Sequence, residues 1–195
     1  MDARARRSRD RLFTAVLELA ADTPVDELSV TRVARAAEVH RSTFYEHAST
    51  PDGLLRAALL AELDELRADL LDDPDRDTDA AVAQTTRDVL EHVLRHLAIY
   101  RRGLADAAGA GGLHGMLSQH FLASSRSLRE QGRLELPHGV AGADDRLVAE
   151  SAMRLIALGT VGVIRAWLDQ PRPTITDFVA TYAVLVPAWW AQVDP

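Results

Sequence analysis

Three groups of side chains could do chemistry in this sequence, and the histidines are the first. His92 and His96 stand four residues apart, which places both on one face of a helix, and His120 lies on a second apolar stripe. Imidazoles so arranged could belong to a metal site. No carboxylate stands beside them in a known ligand pattern, and His-x-x-x-His is common by chance, so neither a metal site nor a cofactor is expected. A metal-dependent hydrolase would need that site. The same region suits a small-molecule pocket better: His96, Tyr100, Met116, His120, Phe121 and Trp167 would supply its walls and polar points. A packed core with local hydrogen bonds would use the same residue types.

A second group is the glycine-rich GLADAAGAGGLHG (103–115), which has no strand before it and no lysine after it, so it is not a phosphate loop. Nucleophile elbow, zinc-peptidase signature and dinucleotide fingerprint are all missing, and without cysteine there is no thiolate chemistry. An enzyme is not expected.

The third group is basic. All 22 basic residues are arginine, and the formal charge is −7, which argues against a general nucleic-acid coat protein. The charge is unevenly spread: residues 1–56 hold nine arginines and nine acids, so the whole deficit lies beyond them. Any DNA contact must come from the amino-terminal part.

Helical periodicity positions these groups throughout, with no convincing strand. The first helix is expected from about Arg4 to Ala21, ended by Thr23-Pro24. Ser29 caps a second, VTRVARAA, and RSTFYEH (41–47) forms a third. Thr50, Pro51 and Asp52 open a fourth over 51–72, with Leu55, Leu59, Leu63, Leu66 and Leu70 on its buried face. The acidic DDPDRDTD (72–79) reads as a linker. A long fifth helix carries the stripe from Val82 to Tyr100, and a short irregular one is expected within 103–115. Another stripe runs from Leu113 to Leu128, before a loop over 132–145. The stretch from Leu155 to Ile164 is apolar nearly all round, so it should be covered on more than one side. Ile175 to Trp189 follows helical spacing, with Pro187 kinking the helix near Ala183. Two such apolar helices are hard to bury within one chain of this size and point to an association surface.

Residues 29–55 read as helix, tight turn, helix, then a longer helix. Val33, Ala34, Ala37, Val39 and Phe44 are placed to bury between the two short helices, which is the pattern of a helix-turn-helix. The segment resembles the DNA-binding region of TetR-family transcriptional regulators. The resemblance rests on Val33-Ala34, Ala37, Val39, Arg41, Thr43-Phe44-Tyr45, His47 and Leu54-Leu55; the first 56 residues fit throughout, the remainder in length and helix count. This sequence departs from the family pattern at Glu38 (usually Gly), His40 (often Ser), Ala48 (usually aromatic) and Pro51 (commonly Lys).

The resemblance implies an all-α fold: a helix-turn-helix DNA-binding domain over 1–50, then a larger helical ligand-binding and dimerisation domain over 51–195. It implies a cytoplasmic, ligand-responsive regulator, a repressor that binds near-palindromic double-stranded operator DNA as a homodimer through its last two helices. A small-molecule effector would release it. Arg41, Ser42 and Thr43 would reach base edges, Tyr45 and His47 phosphates. Thr31 and Arg32 would meet phosphate at the start of the second helix, and Arg4, Arg6 and Arg7 would form a mobile arm on the backbone or a minor groove. The alternative is a helical small-molecule-binding protein whose degenerate helix-turn-helix no longer binds DNA. No membrane partner is expected: the longest uncharged apolar stretch, Phe178 to Val193, is shorter than the roughly 20 residues of a span.

Overall fold

The computed structural model describes residues 3–71, 78–105, 112–187 and 189–190. Among them the chain is entirely helical: α1 Ala3–Asp22, α2 Val30–Ala36, α3 Arg41–His47, α4 Pro51–Leu71, α5 Thr78–Arg95, α6 Leu97–Ala105, α7 Leu113–Glu130, α8 Asp145–Leu168 and α9 Ile175–Leu185. A single 3-10 turn, Val25–Glu27, joins α1 to α2.

Capping sets the amino-terminal elements. The Ser29 hydroxyl accepts from the Arg32 amide at 3.2 Å and starts α2. The Thr50 hydroxyl accepts from the Gly53 amide at 3.0 Å and starts α4, with Pro51 first in the helix. His40 precedes α3 without a side-chain cap. Leu12, Val16, Val33, Phe44, Leu54 and Leu59 belong to one core in which α1 packs along α4 while α2 and α3 pack on α1 and on each other. α4 spans roughly 30 Å at ~1.5 Å per residue. Its second half runs on into the larger bundle, packing on α5 and α7, with Leu63 buried in the same continuous core. Leu66 is partly buried, and the Leu70 side chain lies outside the described residues.

Three local expectations are corrected, and a fourth lies largely outside the described residues. Arg4, Arg6 and Arg7 belong to α1 and form no arm, since Ala and Arg are strong helix formers and the Arg7 guanidinium donates back to the Ala3 carbonyl at 3.4 Å. The stripe from Val82 to Tyr100 is divided by a turn at His96, although backbone bonding passes through it from His96 N to His92 O and from Tyr100 N to His96 O. Pro187 does not kink α9 within its length. The helix stops at Leu185 and Val186 is extended, because a proline disfavours helical geometry in the residue before it. In the 103–115 segment, Gly103 to Ala105 finish α6 and Leu113 starts α7; the irregular helix expected between them falls on 106–111, outside the described residues. The same holds for most of the 72–79 linker.

α8 is also covered differently than its composition suggests. It is long and apolar enough to cross a membrane, yet Met153, Ile156, Val161, Ile164 and Leu168 are buried in the bundle and Glu150 is ion-paired to Arg126 and Arg154. Its other side is bare: Leu155 is 63 % and Leu158 52 % exposed.

Candidate functional site

The turn between α2 and α3 sets the projection of α3. Glu38 takes a left-handed conformation there, φ +51°, and its carboxylate accepts from Arg11 of α1 at 2.5 Å. Val39 N bonds back to Ala34 O, closing the turn. Phe44 is then driven fully into the core while its neighbours on α3 stay outside: Arg41, Ser42 and Glu46 are exposed, and Tyr45 is 54 % exposed with its ring edge-on to Phe44. Thr43 and His47 are half-buried. A groove separates the first turns of α1 from α3, with Arg4, Arg7 and Arg11 on one wall and His40, Thr43 and Glu46 on the other. Arg6 is exposed outside it. Thr31 and Arg32 are exposed at the start of α2, where the Arg32 guanidinium donates to the Thr23 hydroxyl at 3.3 Å.

The larger bundle holds a half-open pocket of about 120 Å³ between α5, α7, α8 and α9, with Arg67 of α4 at its wall. Its walls are mostly aliphatic and aromatic, including Val89, Leu90, Ile156, Ile164 and Phe178, and polar atoms come from Arg67, Thr86, His120, Ser124, Thr160 and Tyr182. The Thr160 and Tyr182 hydroxyls bond to each other at 2.7 Å. His120 Nδ1 lies 3.3 Å from Asp64 Oδ1 without hydrogen-bond geometry. Burial, and then the Arg67 charge, hold the His120 imidazole below its usual pKa despite Asp64.

Of the six residues expected to line one pocket, His120 and Phe121 do so. Met116 faces a separate groove between α4 and α7, and Trp167 packs edge-on to Phe178 and donates its indole N–H to the Thr174 carbonyl, bordering a groove between α8 and α9. His96 and Tyr100 turn elsewhere. His92 Nδ1 and His96 Nε2 lie 3.1 and 2.9 Å from the same Glu62 oxygen, and His92 Nε2 lies 2.8 Å from the Tyr100 hydroxyl. Burial, followed by the neighbouring His96 charge, lowers the His92 pKa to about 4. Burial raises that of Tyr100. Burial also works against ionised Glu62, but the hydrogen bonds and charges of His96 and His92 together keep its carboxyl below the usual value. Helical spacing picks out the two histidines; it gives no sign of Glu62, 30 residues earlier. Arg67, Thr160 and Tyr182 were likewise hidden, because α4, α8 and α9 bring them to one pocket only when the helices pack.

No family model matches the sequence, and no curated protein matches it either. Solved structures do. The chain superposes on Thermus thermophilus FadR, a TetR-family transcriptional repressor in complex with lauroyl-CoA, with TM-score 0.60 and 20 % identity over 91 % of this chain and 92 % of that one. This is the TetR-regulator fold. A TetR-family regulator from Rhodococcus sp. RHA1 gives TM-score 0.59 at 20 % identity, covering 94 % of this chain and 98 % of the other. The dihydroxyacetone kinase operon activator DhaS gives 0.64 at 12 % identity over 95 % and 96 %, and RolR with resorcinol 0.56 at 20 % over 97 % and 93 %. As in that fold, a helix-turn-helix lies at the amino-terminal end, within α1 to the start of α4, and a larger helical bundle follows it.

Proposed function

We propose that this chain is a ligand-responsive transcriptional regulator, a repressor that binds near-palindromic operator DNA as a homodimer and is released by a small molecule. The observation that carries it is the outer face of α3: Phe44 anchors the helix while Arg41, Ser42 and Tyr45 stand clear of the body. A short helix held from one side only can enter a major groove. Arg41 then reaches a guanine edge, with Ser42 and Thr43 beside it. Tyr45, His47, Thr31 and Arg32 hold phosphates and set register. Arg4 and Arg7, on the α1 wall of the groove beside α3, add backbone contacts from a helix, as does Arg6 from the adjoining surface.

The bare faces of α8 and α9 support homodimerisation through these two helices. Leu155 and Leu158 on α8, with Val184 and Leu185 on α9, are more than half exposed. A twofold pairing there gives a four-helix interface and sets two heads on successive major grooves, roughly 34–36 Å apart for one turn of DNA.

The effector enters the cavity of about 120 Å³. An apolar cavity of ~150 Å³ is known to hold benzene, so the space here suits one ring or a short chain carrying a polar group. Arg67 brings α4 into the cavity wall, so a ligand that favours one position of α4 shifts the heads with it. A coupling of ~1–3 kcal/mol changes operator affinity about 5- to 150-fold.

Selection of bound DNA from a random pool at fixed salt, followed by release with single-ring candidates, tests this reading. Arg41→Ala is expected to abolish specific binding while the chain stays folded and dimeric. Enrichment of no sequence, or an unchanged footprint for that variant, would remove the role given to α3.

A further inference from the structure

The Glu62, His92 and His96 cluster lies outside both the reading face and the cavity. Glu62 stands on α4, His92 on α5 and His96 at the turn between α5 and α6, and their ligand atoms all lie within 4.8 Å of one another. We propose that these three side chains bind one divalent first-row transition ion, zinc or a close chemical relative, and so clamp α4 to the α5–α6 junction.

Convergence is the first argument. His92 Nδ1 and His96 Nε2 approach the same atom, Glu62 Oε2, at 3.1 and 2.9 Å. Around an ion with ligands at about 2.0–2.2 Å, neighbouring donor atoms stand roughly 3 Å apart. Both separations are already those of coordinated neighbours; the two imidazole nitrogens, within 4.8 Å of each other, need only draw together around an inserted ion.

Donor chemistry selects the ion class. Two imidazoles and a carboxylate suit zinc, nickel, cobalt or ferrous iron over calcium or magnesium, which take oxygen ligands. Three protein ligands leave room for water at the remaining positions.

The surroundings orient the donors. His92 is buried, and its Nε2 lies 2.8 Å from the hydroxyl of Tyr100, itself fully buried. With Tyr100 donating to Nε2, the hydrogen sits on Nδ1 and points at Glu62. With Nε2 donating to Tyr100, the Nδ1 lone pair is free for an ion. One hydroxyl therefore holds the ring in place for either tautomer, the outer-shell role that metal-binding histidines require. Entry is open from the side of Glu62 and His96, which are partly exposed. Arg95, 3.6 Å from Glu62 and itself exposed, balances the carboxylate without an ion and is free to swing into solvent when one arrives.

The site stands independently of the DNA-reading proposal, because its test contains no DNA. Untagged full-length chain, stripped with a chelator, is titrated with zinc in competition with a chromophoric chelator, and with cobalt followed by its visible spectrum. We expect one ion per chain and a raised thermal midpoint. Glu62→Gln and His96→Ala should each lower zinc affinity by about 100-fold or more, Tyr100→Phe by about 10-fold, the scale of outer-shell losses. His114→Ala, outside the cluster, should bind as the wild type does. X-ray absorption at the zinc edge of the wild-type chain should show two imidazoles, a readout that survives even if a variant fails to fold. Absence of binding, a zinc shell without imidazole, or unchanged affinity in folded Glu62→Gln and His96→Ala would overturn the proposal.

Discussion

Glu38 occupies the one described non-glycine position with positive φ, in the turn that aims α3. A left-handed conformation strains any residue with a Cβ, by about 1 kcal/mol, and glycine escapes that strain. The compensating contact is the Arg11–Glu38 ion pair, which is 82 % exposed on the glutamate side and therefore screened. Strain outweighs the pair. Glu38→Gly should accordingly raise stability by up to about 1 kcal/mol, read as a higher urea midpoint with an unchanged slope. A lower midpoint would mean that Arg11 holds the turn more firmly than an exposed pair should. At this scale the sequence was most informative where one residue acts alone: the departure from glycine at 38, the Ser29 cap and the burial of Phe44 are all local facts. It was silent on Glu62 and Arg67, whose partners lie on other helices far along the chain.

Among the elements, α6 is short but ties two others by their ends. Arg101 donates to the carbonyls of Leu168 and Gln170, at 2.8 and 2.7 Å, where α8 finishes. Arg102, its neighbour, donates to the carbonyls of Ala20 and Ala21 at the end of α1. Both satisfy carbonyls that a helix leaves without intrahelical partners, and both place positive charge at a negative helix end. α6 thus fastens the head to the core by a route separate from the continuity of α4. Removing the Arg102 guanidinium should cost about 1.5–3 kcal/mol, the range for hydrogen bonds from a charged group. Arg102→Ala should also speed amide exchange selectively in the last turn of α1, leaving α8 as in the wild type. Exchange that quickens equally everywhere would indicate only general loss of stability. Helix limits for α2 to α4 were legible to within a residue or so because caps and apolar spacing mark them. The division at His96 was not, since the apolar stripe runs through it unbroken, and the end of α9 was misjudged because proline acts on the residue before it.

Among the described residues, an apolar surface on α8 and α9 is left without a cover. Leu155, Leu158, Gly159 and Gly162 share one face of α8 by their spacing, and among the described residues no side chain and no other helix comes within 4 Å of a Cβ placed on either glycine. Val184 and Leu185 extend the surface onto α9 at 84 % and 61 % exposure. Gly159 and Gly162 line the groove between α8 and α9, and small residues beside exposed leucines allow a second helix to approach closely, so the face suits a second copy of itself about a twofold axis. If that pairing sets the separation of the two reading heads, breaking it should remove operator binding without touching a single residue of α3. Leu158→Arg places a charge at the centre of the surface, where burial in a dimer would leave it unpaired. Because Leu158 is already half exposed within one chain, the variant should keep its helicity and its internal melting behaviour. Sedimentation should show a monomer, and specific DNA affinity should fall with it, while the weaker, salt-sensitive binding of a single head persists. A variant that still sediments as a dimer would place the interface elsewhere on the molecule, and a monomer that binds the full operator as tightly as before would break the link between pairing and recognition.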